Sequence, residues 1–150
     1  MMKNSRRKGL CVVAVATMVA ATSLAVFAGS EGGAQESAWD GVFTEEQAMR
    51  GQETYRQECA SCHLDDMLGD GIAPPLVGVP FSFRWSDLSV GDMFMAIRTT
   101  MPQGAPGSLS VSGYVDIVSY ILKANEFPTG DDELPTDTDV LESIIITEKP

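Results

Sequence analysis

The stretch Glu58–Asp66 reads ECASCHLDD, and it holds two of the chain's three cysteines and its only histidine. Cys59, Cys62 and His63 form a Cys-x-x-Cys-His pentapeptide. Such a motif admits a metal clip, a dithiol redox centre, a disulfide or a covalent haem attachment. A structural zinc site needs four ligands, usually from two separated pairs. The remaining cysteine, Cys11, lies in a segment expected to be removed, so there is no second pair. A thioredoxin-type dithiol follows a strand in an α/β pattern, whereas the flanking periodicity here is helical. A disulfide between Cys59 and Cys62 would close too short a loop to stabilise much, and it would leave His63 unexplained. Haem attachment uses all three residues. The two thiols add to the porphyrin vinyl groups as thioethers, and the adjacent histidine is held under the iron as an axial ligand.

A single histidine excludes a second imidazole on the far side of the iron. The methionines beyond the N-terminal segment are Met49, Met67, Met93, Met95 and Met101. Met49 falls on a predicted helix, and Met67 is too close to the attachment site to cross the ring. Met93 and Met95 fall on another helix, where a core role is expected. Met101 sits in a loop beside Pro102, with Gly104, Pro106 and Gly107 following. Its thioether is the expected second metal ligand. His/Met ligation fills both axial positions and raises the reduction potential relative to histidine alone. The alternative is a haem protein with an open or displaceable axial site, suited to ligand sensing or peroxide chemistry.

The N-terminus fits export. Lys3, Arg6, Arg7 and Lys8 precede an uncharged apolar run, Leu10 to Phe27, and Ala28 ends a small-residue cleavage pattern. This is the layout of a Sec-type signal peptide over residues 1–28, the alternative being an uncleaved anchor. Periplasmic localisation is expected, since haem is attached to c-type motifs outside the cytoplasm. From Gly29 onward six basic residues face 21 acidic ones, a net charge of about −15. That excludes nucleic acid as a partner, and it gives no reason for membrane insertion unless the N-terminal segment is retained. It favours a basic-surfaced redox partner.

Residues 29–43 read as a flexible leader. Thr44-Glu45-Glu46-Gln47 matches a capping box, and a helix is predicted from Glu45 to about Glu58. Residues 65–83 carry Gly69, Gly71, Pro74, Pro75, Gly78 and Pro80 and read as one long loop without a regular element. A loop of this length in so small a domain needs something to wrap around. Ser89 caps a helix to Thr99, and Ser110 or Ser112 caps another to about Lys123, with Asn125 in a left-handed closing position. Residues 128–150 read as an acidic tail in which only SIIIT, Ser143–Thr147, suggests a short strand or an apolar clasp. On this reading the haem spectrum should survive truncation at Pro128.

From Thr44 to Phe127 the chain resembles the class I c-type cytochromes. Cys59 to His63 resembles their haem motif, Pro74-Pro75-Leu76-Val77-Gly78 their Pro-x-Leu-x-Gly segment, and Met101-Pro102 their axial-methionine loop. The resemblance implies an all-α, cytochrome c-like fold over residues 44–127, with three to five short helices and long Pro/Gly loops around one covalent haem c. It further implies a Pro74 carbonyl that accepts from the His63 ring, Leu76 packed on the haem, and Gly51, Tyr55 and Tyr120 at a crossing of the first and last helices. Arg84, Trp85 and Arg98 are candidates for holding the haem propionates. The stretches RTTMPQGAPGSLS and YVDIVSYILKANEFPTGDDELP are similar to monohaem cytochromes that accompany, or are fused to, quinoprotein (PQQ-type) alcohol dehydrogenases. The function this implies is electron carriage from such a dehydrogenase to a downstream cytochrome or oxidase, not enzymatic turnover by the chain itself.

Overall fold

The computed structural model describes residues 35–150; the predicted signal segment lies outside them. The fold is all-α. Six α-helices follow one another: α1 (Glu45–Glu58), α2 (Ala60–His63), α3 (Val79–Trp85), α4 (Val90–Thr100), α5 (Val111–Ala124) and α6 (Thr138–Ser143). Two residue pairs, β1 (Glu36–Ser37) and β2 (Ile144–Ile145), form a minimal parallel ladder. Among the described residues no helix is long and apolar enough to cross a membrane.

The helix starts follow local chemistry. Thr44 Oγ1 accepts from Gln47 N at 3.1 Å and opens α1. The reciprocal half of the expected capping box is missing, because the Gln47 amide is used elsewhere. It donates to Leu134 O at 2.9 Å and accepts from Leu134 N at 2.8 Å. Ser89 caps α4 in a complete box with Asp92. Ser110 caps α5 through Gly113 N. Asn125 is not left-handed (φ −97°); that conformation falls on Glu126 (φ 68°).

The expected crossing of the first and last cytochrome helices is α1 against α5, the largest helix contact among the described residues. Gly51 makes it possible. A Cβ there would lie 1.8 Å from Asp116 O, so only hydrogen allows this approach. Tyr55 and Tyr120 meet edge to face at 5.4 Å between ring centroids.

Three expectations need correction. The loop 65–83 does contain a helix, α3, with a proline in its first turn. There the missing N–H costs no hydrogen bond. Among the described residues, five helices, α1 to α5, fall within 44–127, as many as expected, and α6 lies beyond them. Residue 128 is not a domain edge either. Leu134, Leu141, Ile144 and Ile146 of the tail are buried in the same core as Val90 and Phe94 of α4. On the other side, Ala38, Val42 and Phe43 of the expected leader are buried too. The polar composition of both segments hides a few apolar residues that each find a place in the core. Gly130 packs so closely on Gly41 that a Cβ would stand 1.8 Å from Gly41 O.

Candidate functional site

The pentapeptide begins where α1 ends. Cys59 closes α1 and opens the single turn α2, which ends at His63. His63 is buried, and its Nδ1 lies 3.0 Å from Pro74 O. With Nδ1 engaged there, Nε2 is the ring nitrogen left for a ligand. The loop that brings Pro74 round is held by its own backbone. Gly69 N donates to His63 O at 3.0 Å and Leu76 N to Met67 O at 2.8 Å. Gly69 has φ +71°, and a Cβ there would sit 2.2 Å from Ala73 O. Asp70 Oδ1 accepts from Ile72 N and Ala73 N, which holds its carboxyl below the usual range. Tyr55 Oη donates to Leu64 O at 2.7 Å, fixing the chain just past His63. Burial, more than the neighbouring Cys59, raises the Tyr55 phenol well above its ordinary value, so it remains a donor.

These residues open onto a cavity of about 310 Å³. Its wall holds Cys59, Cys62, His63, Pro74, Leu76, Arg84, Trp85 and Met101 together. Of the candidate residues only Arg98 is not on that wall; its guanidinium lies over the Phe94 ring at 5.8 Å. The Arg84 guanidinium lies 4.9 Å from the Trp85 ring centroid. Of the other methionines, Met93 is buried and lines the cavity, while Met67 is buried without lining it. Met49 is largely exposed and Met95 partly so.

Met101 lies just past the end of α4. Its N–H donates to Ile97 O at 2.8 Å, and its carbonyl accepts from Tyr114 Oη at 2.8 Å. The remaining wall is mainly apolar: Ile97 from α4, Ile117 and Ile121 from α5. These were legible only as the buried stripes of two helices, and nothing in a stripe says that it faces a cavity. Cys59 and Cys62 are not joined to each other. Burial, then Glu58 and Cys62, pushes the Cys59 thiol up to about 11.

The donor set suits haem c. Two unlinked thiols with two residues between them, an imidazole oriented through Nδ1 and a thioether share one apolar cavity. A family model described as "Cytochrome C oxidase, cbb3-type, subunit III" matches residues 46–121, half of the chain. The chain belongs to this family of c-type cytochrome domains, and the matched span covers nearly all of α1 and runs into α5, including Cys59, Cys62, His63 and Met101. Searches of the curated proteins and of the solved structures found no match. Membership means that the domain carries covalent haem c and works by haem-based electron transfer, and Cys59 and Cys62 lie inside the matched span, consistent with a Cys-x-x-Cys-His attachment motif. Proteins of this kind are electron carriers rather than enzymes.

Proposed function

We propose that the protein is a periplasmic monohaem carrier in which His63 and Met101 are the two axial ligands. The observation that carries this reading is the common cavity shared by both thiols, the Pro74-oriented imidazole and Met101. Bound haem supplies a one-electron couple. The chain's part is to hold the imidazole through Pro74 O, to present the Met101 thioether, and to exclude water with Leu76, Ile97, Ile117 and Ile121. In this reading Arg84 and Trp85, both on the cavity wall, hold the propionates. Arg98 is left out of the proposed site.

Periplasmic location rests on the N-terminal export pattern and on where haem is attached. The proposed donor is a quinoprotein alcohol-type dehydrogenase, supported by the resemblance of RTTMPQGAPGSLS and the stretch after it. The acceptor is a cytochrome or terminal oxidase. The acidic balance supports basic-surfaced partners. Reduction by such a partner should slow as salt rises; a rate indifferent to salt would remove steering from the proposal.

The ligand assignment is tested by Met101→Ala. The oxidised protein should show the weak red absorption band of methionine bound to iron, and the variant should lack it and bind imidazole or cyanide readily. A band that survives in the variant would move the ligand elsewhere. Its absence from the unaltered protein would favour the open-site alternative.

A further inference from the structure

Helix α5 grips both ligand-bearing loops, one near each end. Near its start, Tyr114 is buried and donates to Met101 O at 2.8 Å. At its closing position, the Asn125 amide donates to Leu76 O at 2.9 Å and accepts from Gly78 N at 2.9 Å. It also donates to Ile121 O at 2.9 Å, which ties it back to its own helix. Leu76 and Gly78 lie two and four residues past the Pro74 whose carbonyl meets His63.

The spacing is what lets one helix do both. Eleven residues separate Tyr114 from Asn125, about three turns, so the two side chains point within about 20° of each other and lie about 16 Å apart along the axis. Between them on the same face stand Ile117 and Ile121, which line the cavity. The two cavity-lining isoleucines of α5 are thus flanked by one polar side chain towards each end, and each of these holds one loop.

We propose that Tyr114 and Asn125 are positioning residues for the two axial ligands, Tyr114 for Met101 and Asn125 for His63 through the Pro74 carbonyl. Neither lines the cavity; both act through a backbone they hold. This rests on the His63/Met101 reading above.

The test is a pair of near-isosteric variants in the holo-protein. Tyr114→Phe removes one oxygen, and Asn125→Asp removes the two donated bonds while keeping the side chain's shape. Imidazole affinity of the oxidised protein reports how firmly Met101 is held. Exchange of the His63 ring N–H, followed by proton NMR, reports how firmly Pro74 O covers it. Tyr114→Phe should raise imidazole affinity about fivefold, the effect of one ordinary hydrogen bond, and leave ring exchange unchanged. Asn125→Asp should speed ring exchange by about the same factor and leave imidazole affinity unchanged. Val118→Ala, a buried position on α5 that does not line the cavity, should lower the melting temperature and move neither readout.

The inference is overturned if Tyr114→Phe and Asn125→Asp behave like Val118→Ala, if their effects are not separable, or if removing the one oxygen abolishes haem retention. Failure of the ligand reading is distinct: the methionine band would then be missing from the unaltered protein, or would persist in Met101→Ala.

Discussion

At Gly51 the chain has no room for a methyl group. Its missing Cβ faces a backbone carbonyl, Asp116 O, which cannot rotate away as a side chain tip can. Gly51→Ala must push α1 off α5, and overpacking of this sort costs about 1–3 kcal/mol. A melting temperature equal to that of the unaltered protein would show that the helices can part without loss. Gln47 carries a different load. It satisfies both backbone groups of Leu134 inside the core. Gln47→Ala strands a buried N–H and C=O and should cost about 1–3 kcal/mol. Glu46→Ala, one position away and exposed, should stay within about 0.5 kcal/mol. Gln47 could be recognised as a capping residue from its position after Thr44; its true partner lies 87 residues on and leaves no local mark.

Helix α4 depends on a box with one titratable member, Asp92. Ser89 Oγ donates to Asp92 Oδ2 at 2.7 Å and its own N–H does so at 3.0 Å, which lowers the Asp92 pKa, with the side-chain bond as the larger cause. A carboxyl lowered on folding adds stability above its ordinary range and loses it as pH falls through the folded value. Ser89→Ala should therefore cost about 1 kcal/mol at neutral pH. Melts repeated in acid should show the gap narrowing, and because Asp92 is exposed, salt should narrow it as well. A gap independent of pH would mean that only the Ser89 bond to the Asp92 N–H matters. The starts of α1, α4 and α5 were readable because each cap is written within four residues. By contrast, α3 was hidden by Pro80, which breaks a helix interior but suits a first turn. The ladder of β1 with β2 joins Glu36 to Ile144, and no period or propensity connects residues that far apart.

For the molecule as a whole, the haem motif was legible because covalent attachment needs particular side chains, whereas the extent of the core was not. Leu134, Leu141, Ile144 and Ile146 are buried. Each is worth about 1.5–3 kcal/mol, and a domain of this size has a net stability of about 5–15 kcal/mol. Truncation at Pro128 should therefore unfold the domain or leave it barely stable, with a disturbed haem spectrum. Retention of the full melting temperature would mean that the tail only rests on the surface. The cavity makes the reciprocal case from the inside. Cys59→Ala with Cys62→Ala prevents attachment, and circular dichroism should then show no cooperative melt; a sharp helical transition would show that the polypeptide is self-sufficient.

Ser37 and Thr147 touch hydroxyl to hydroxyl at 3.1 Å, and the Trp39 indole donates to Thr147 O at 3.0 Å. The first and last described segments of the domain therefore meet at one point on its surface. A gene rearranged so that a short linker joins these two segments, with new ends opened at the exposed Gly104, should still yield a domain that takes up haem. The order in which the helices are synthesised would change while the contacts between them stayed the same.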